Sequence, residues 1–421
     1  MIDTQESASA PVRRTVRSQN AVNRVWTRSP WWARVLTVYL GARAWSALVL
    51  IVIAQQQVKN PWTGARPSYL QYAGLMWDAS WYRQIAESGY PSTLPMEAFN
   101  GHVAQNAWAF FPLFPALVRG LMIVTTGPWY VLAPITATVL GAAAMLVIHR
   151  LVVIGAPRAV AAYPALPLVT VLLVSVFPSS VVLQTGYTES LALLLIAGTL
   201  AALVGRRYWL TALLVLALGF TRAVALPMAL VVVVHAFVRW RNTRRGSDRF
   251  TRRDAAGLGG LAAAAAVSGV AWPTICGWVT GVPDGYLQTQ SAWRGNHTVE
   301  PLIPWGYASR FWFGAWAPLV LVVAAIVVLT LVLSPSASRL GPELRTWSPA
   351  YLGYLVAVIE PGTSLFRFLL LAFPMAGVTA GLVPPRWRRA WLVVVVVTMA
   401  ALQIVWTVQL WRLLPPSGWA P

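Results

Sequence analysis

Acidic side chains are scarce in this sequence. Twelve Asp and Glu stand against 32 Lys and Arg in 421 residues, a formal charge of +20. Cysteine occurs once, at Cys276, which excludes an internal disulfide framework and any cysteine-based zinc site. Lysine also occurs once, at Lys59, so nearly all the positive charge is arginine, a bias that fits a G+C-rich bacterial genome. Neither an HExxH run nor a paired DxD is present, so no metal and no cofactor is expected. No internal repeat is visible, which leaves an inverted-repeat transporter without support.

Apolar residues are what the chain has in quantity. They make up 57% of it, with a mean hydropathy of +0.61 and only 10% charged residues, too apolar for a soluble globule. Apolar runs of roughly 17 to 25 residues recur, the length that crosses a bilayer core of about 30 Å. The expected class is therefore all-α and polytopic, with about eleven membrane spans and a range of roughly nine to thirteen. The arginines cluster between apolar runs, as expected of cytoplasmic loops, so the charge points to the bilayer as partner and not to nucleic acid.

Residues 1–32 are polar, rich in Ser and Arg, and without an apolar core, and read as a basic, disordered cytoplasmic tail rather than a cleaved signal. One membrane domain is expected over 33–415, starting with a span over 33–55. Residues 56–128 then form a long first outer loop, in which "AWAFFPLFPALVRGLMIV" reads as a helix in the outer interface. Spans follow at 129–150, 160–177 and 189–204. The apolar stretch 208–238 is broken at "GFTRA" into two short helices. Further spans lie at 256–280, 315–334, 348–358, 368–383 and 390–410. The arginine-dense loops 239–254, 338–345 and 384–389 all fall on the cytoplasmic side of this threading, which places the chain in the plasma membrane with an inner N-terminus.

Sorted by this topology, Asp3, Glu6, Asp248, Asp254 and Glu343 are cytoplasmic. Asp78, Glu87, Glu97, Glu189, Asp284, Glu300 and Glu360 lie outside or at outer helix ends. Ionisable groups at membrane depth are expensive and usually functional. Asp78, in "MWDASWYRQIAESGYP", is flanked by Trp77, Trp81 and Tyr82. An apolar cage raises a carboxyl pKa and suits it to general-base work, and aromatic faces stack on sugars. The same cluster also reads as an interfacial aromatic belt with one solvated acid, and Glu87 as a solvated face. Tyr187 and Glu189 stand at a helix entrance, where the helix dipole favours the acid. Arg222 and Arg367 are isolated cations in apolar surroundings, Arg367 near Glu360. They either snorkel to the interface or pair with an anion, and two outward guanidinium forks suit a lipid phosphate. His102 and His297 are lone loop histidines, solvated by default.

Four segments in order, "WDASWYRQIAESGYP", "FFPLFPALVR", "PSSVVLQTGYTESLALLL" and "FTRAVALPMAL", followed by "FRFLLLAFPM", resemble a known family over about residues 76–374. It is that of the membrane mannosyltransferases related to the second mannosyltransferase of glycosylphosphatidylinositol anchor assembly, here in a bacterial, actinobacterial-type form. The resemblance implies the GT-C class, a polyprenyl-phosphate-mannose donor, and inverting transfer on the non-cytoplasmic face. It implies Asp78 as the base that deprotonates the acceptor. Substrate binding is expected from Trp77, Trp81, Tyr82, His102, Tyr187, Glu189, Arg222 and Arg367, with the two arginines assigned to the leaving phosphate by charge and topology. Asp78 has no acidic neighbour, unlike the paired acids of other GT-C first loops, so a divalent metal is doubtful. The acceptor is left open among an envelope glycolipid, a lipoglycan and a secreted protein. The rival reading is a non-enzymatic transporter or scaffold for lipid-linked sugars.

Overall fold

The computed structural model describes residue 26 and residues 28–294 and 298–414. The expected basic tail over 1–32 thus falls mostly outside the described residues, as do Asn296 and His297. Trp31 and Trp32 already belong to the first helix.

That helix, α1, spans Trp31–Ala54. Two short helices, α2 (Tyr69–Leu75) and α3 (Asp78–Ser88), precede α4 (Leu113–Thr125) and the long α5 (Trp129–Gly155). Next come α6 (Pro157–Ala162), α7 (Leu166–Ser175), α8 (Glu189–Val204), α9 (Tyr208–Gly219), α10 (Ala225–Arg244) and α11 (Arg252–Thr280). The chain then forms α12 (Gly285–Ser291), α13 (Ile303–Phe313), α14 (Ala317–Leu333), α15 (Pro335–Ser338) and α16 (Pro342–Val358). It closes with α17 (Leu365–Leu369), α18 (Pro374–Ala380) and α19 (Arg388–Trp406). Among the described residues there is no β-strand, and one isolated bridge joins Met96 to Val103.

Trp31–Ala54, Trp129–Gly155, Arg252–Thr280, Ile303–Ser338 and Pro385–Trp411 are each long and apolar enough to cross a bilayer unaided. Leu113–Thr125, Leu166–Ser175, Glu189–Val204 and Tyr208–Gly219 are shorter apolar helices. The predicted break at "GFTRA" is present, since α9 stops at Gly219 and α10 starts at Ala225. The single return span expected over 368–383 is not. It is divided into α17, a 3-10 turn at Leu370–Ala372, and α18. Pro374, which has no N–H to donate, marks the start of the last piece.

The core runs along α5, which packs on α8; α8 packs on α9, α9 on α11, and α10 on α16. At one end of this bundle the arginine-rich turns meet. The Gly341 N–H donates to the Gly155 carbonyl (2.9 Å), and Arg388 donates to the Ala162 carbonyl (3.2 Å). A chain of polar contacts ties the same end together. Glu343 meets His235 Nδ1 at 2.6 Å, and His235 Nε2 meets the Tyr208 hydroxyl at 3.2 Å. Arg239 donates to that hydroxyl (2.7 Å) and pairs with Asp248 (2.9 Å) and Asp254 (2.8 Å). Arg206 closes the chain on Asp248 at 2.8 Å.

Candidate functional site

The opposite end of the bundle holds the acid and arginine residues singled out above. There α2 threads between α5 and the turn before α8. The Gly74 carbonyl accepts from the Trp129 indole (2.8 Å), and the Gly186 N–H donates to the Ala73 carbonyl (2.9 Å). The approach needs glycine: a Cβ on Gly74 would lie 2.7 Å from Tyr130 Cα, and one on Gly186 would lie 3.2 Å from Ala79 Cβ. This contact fixes where α3 begins.

Trp77, the residue before α3, has φ +57° and ψ −128°, a conformation that L side chains avoid. Such strain costs on the order of 1–3 kcal/mol and persists only where surrounding contacts hold it. The Trp77 indole donates to the Trp411 carbonyl (2.7 Å), and its ring lies 5.0 Å from that of Trp62. The kink sets Asp78 in the first turn of α3, where the helix dipole favours a carboxylate. The Asp78 backbone N–H donates to the Tyr187 hydroxyl at 3.2 Å.

Four charged side chains from distant segments meet beside it. Arg367 Nη2 contacts Asp78 Oδ2 at 2.5 Å, and Arg367 Nη1 lies 3.6 Å from Glu189 Oε1. Arg222 Nη1 reaches the same Glu189 oxygen at 3.0 Å. The second oxygen, Glu189 Oε2, and Arg367 Nε are buried without a hydrogen-bond partner. Both guanidinium groups lie on aromatic faces: Arg367 is 5.1 Å from the Tyr187 ring, and Arg222 is 4.6 Å from that of Phe368. Burial pushes the Asp78 carboxyl above its ordinary range, and Arg367 pulls it back by charge and by hydrogen bond. The Tyr82 hydroxyl sits nearby, 3.3 Å from Thr188 Oγ1.

Asp78, Tyr82, Arg222 and Arg367 line a single cavity of about 320 Å³, in the range of small-molecule pockets. Of the other residues expected to bind substrate, Glu189 is fully enclosed and reaches the arginines rather than the cavity. Tyr187 lies beneath it, packed on Trp411 at 5.3 Å. The tryptophans stand elsewhere. Trp77 is turned into the core, and Trp81 stacks on Phe110 (5.7 Å) outside the lining. His102 is an exposed loop residue whose N–H donates to the Asn100 side chain (2.9 Å), away from the cavity. Of the two readings open for Arg367, pairing with an anion is the one seen, and the anions are Asp78 and Glu189.

Several lining residues were not among the expected site residues. Phe110 and Phe111 come from the turn before α4, Tyr286 and Gln290 from α12, and Tyr351 and Tyr354 from α16. Phe110 and Phe111 pack on Trp293 and Trp272, and Tyr286 on Phe111, so of the aromatic rings expected at the site Tyr82 alone lines the cavity and the other walls come from these rings. The signal that was available is the Tyr and two Gln of "GYLQTQSAW", an aromatic ring and amide side chains together on one short helix. Among the described residues no group of three His, Cys, Asp or Glu is placed to hold a metal ion.

No protein-family model matches the chain, and no curated protein does. A search of solved structures finds the Archaeoglobus fulgidus oligosaccharyltransferase, crystallised with a tethered acceptor peptide. It matches at 11% identity and a TM-score of 0.48, over 91% of this chain and 56% of that one. The chain thus spans about half the length of the enzyme it matches.

Proposed function

We propose that this chain is a membrane glycosyltransferase of the GT-C type. It transfers mannose from polyprenyl-phosphate mannose to a hydroxyl of an envelope glycolipid, lipoglycan or protein, on the non-cytoplasmic face. The observation that carries the reading is one cavity lined by a buried carboxylate, Asp78, and by three arginines, of which Arg222 and Arg367 belong to the buried charge cluster beside it. A group transfer from a lipid phosphate needs a base for the incoming hydroxyl and cations for the departing phosphate, and this cavity offers both.

The chemistry follows from that placement. The acceptor oxygen attacks C1 of the sugar from the face opposite the phosphate, and its proton passes to an Asp78 oxygen. The C1–O bond to phosphate breaks with its electron pair going to the phosphate, so the configuration at C1 inverts. Arg222 and Arg367 stabilise the charge that gathers on the leaving phosphate, as planar donors suited to phosphate oxygens. A carboxyl raised by burial is the better general base, because its pKa stands nearer the working pH. The aromatic walls supply faces for a pyranose ring, and exclude water that would hydrolyse the donor.

The test is transfer of radiolabelled mannose from polyprenyl-phosphate mannose into membrane lipids, using a deletion strain complemented with wild type or Asp78→Asn. The expected result is a labelled product with wild type and none with the variant at equal membrane abundance. Equal restoration by both removes Asp78 from the base role. No transfer by either, with both proteins present, moves the reading to a non-enzymatic transporter or scaffold for lipid-linked sugars.

A further inference from the structure

Beside the cavity Asp78 and Glu189 are paired with Arg222 and Arg367, and Arg294 adds a third cation to the lining. A lipid phosphodiester adds a further negative charge, and in a largely apolar site an unmatched charge is costly. Arg222 and Arg367 are each already held by a carboxylate, so a phosphate that is to take either of them needs that carboxylate to yield. The two carboxylates are not equally able to do so. Glu189 is enclosed, touches both guanidinium groups through one oxygen, and has no opening to the cavity. Asp78 lines the cavity and reaches only Arg367.

We propose that in the empty protein Asp78 occupies the place of the substrate phosphate on Arg367, and that the incoming lipid phosphate displaces it. Glu189 is the positioning residue that holds Arg222 and Arg367 from behind during the exchange. The consequence is an order of events. While Asp78 is tied to Arg367 the ion pair holds its affinity for a proton below what burial alone would give. The donor frees it. The base is therefore armed by the substrate whose bond is to be broken, and an acceptor arriving alone meets an occupied carboxylate. The ligand class this selects is a lipid carrying a phosphate anion, since a neutral glycolipid has nothing with which to compete for Arg367.

The inference rests on the transferase reading above, but it is tested by binding alone. The probe is a polyprenyl methyl phosphate, a phosphodiester of constant single charge with no sugar to transfer, titrated against purified full-length protein in nanodiscs of neutral lipid. Asp78→Asn removes the competitor and keeps the shape, and is expected to bind the probe about tenfold more tightly than wild type. The gain must run through Arg367. In an Arg367→Gln background the same substitution is expected to change affinity less than about twofold. A gain of equal size in that background shows general repulsion rather than displacement and overturns the proposal. So does an Asp78→Asn affinity equal to or weaker than wild type.

A second measurement needs no variant. Protonating Asp78 does what the substitution does, so wild-type affinity is expected to rise about tenfold as the pH falls through the Asp78 titration, and the Asp78→Asn affinity to stay flat. The groups facing Asp78 are Arg367, Arg222, Glu189, Tyr82 and Tyr187, and the flat variant separates its titration from theirs. A wild-type affinity independent of pH sinks the displacement while leaving the transferase reading in place. Failure of every form to bind the probe sinks both.

Discussion

The two ends of the bundle each hold a buried cluster of acids, arginines and a tyrosine, and they are built differently. At the arginine-rich end, Arg239 is spent on Tyr208, Asp248 and Asp254, and Glu343 on His235. None of those side chains has an orphaned polar atom. At the other end Glu189 Oε2 and Arg367 Nε lack partners, Trp77 is strained, and the charges open onto a cavity. A saturated network is what a fold needs to join helix ends. An unsaturated one beside empty space has capacity left for a ligand, so the incomplete cluster is the one to assign to chemistry.

Substitutions at the two ends should separate activity from stability. The largest effect is expected at Asp78→Asn, with transfer falling about 10²–10⁴-fold and the melting temperature unchanged or raised, read by labelled-mannose transfer and thermal unfolding. Arg239→Leu should do the reverse, costing about 1–3 kcal/mol by removing its bonds to Tyr208, Asp248 and Asp254, with unchanged turnover per folded molecule. An activity loss in Arg239→Leu that exceeds its loss of folded protein would join the two clusters and break the contrast.

The pH dependence sharpens it further. Asp78 must be ionised to act, and burial raises its pKa, so activity should fall on acidification at a pH above the ordinary carboxylate range. Arg367 opposes that rise, so the residual activity of Arg367→Gln should show the acid limb moved to still higher pH. A limb that stays put would detach Arg367 from Asp78. Glu343→Gln should cost about 1–2 kcal/mol, the worth of one buried hydrogen bond to His235, with activity unchanged. The smallest effect is expected at Glu87→Gln, whose exposed pair with Arg83 (3.0 Å) is worth at most about 0.5 kcal/mol, so neither readout should move.

The sequence made isolated charges conspicuous, because a charge in an apolar run demands a partner. Asp78, Glu189, Arg222 and Arg367 stood out for that reason, and the structure brings all four together. His235, inside "VVVVHAF", met the same criterion and went unweighed, while Glu343, Asp248 and Asp254 were read only as cytoplasmic. Helix limits were also legible, as at the break between α9 and α10. What local sequence could not reveal was side-chain direction. Trp77 and Trp81 are adjacent to Asp78 in the chain, yet the positive φ at Trp77 turns its indole away toward Trp411, 334 positions on. The polar stretch between the spans expected at 256–280 and 315–334 carries α12, which forms a wall of the cavity, a matter of long-range packing.

The hold of Trp411 on Trp77 also has a consequence for biosynthesis. A chain emerging from the ribosome makes Asp78 early and Trp411 near the end. Gln57 is in the same position, since its side chain donates to the Leu413 carbonyl (2.9 Å) and accepts from the Leu413 N–H (3.1 Å). Until α19 is made and inserted, the strained turn before α3 has no carbonyl to rest on. The nascent protein therefore carries its acid before it has the carbonyl that holds the turn, and the segment after α19 supplies it.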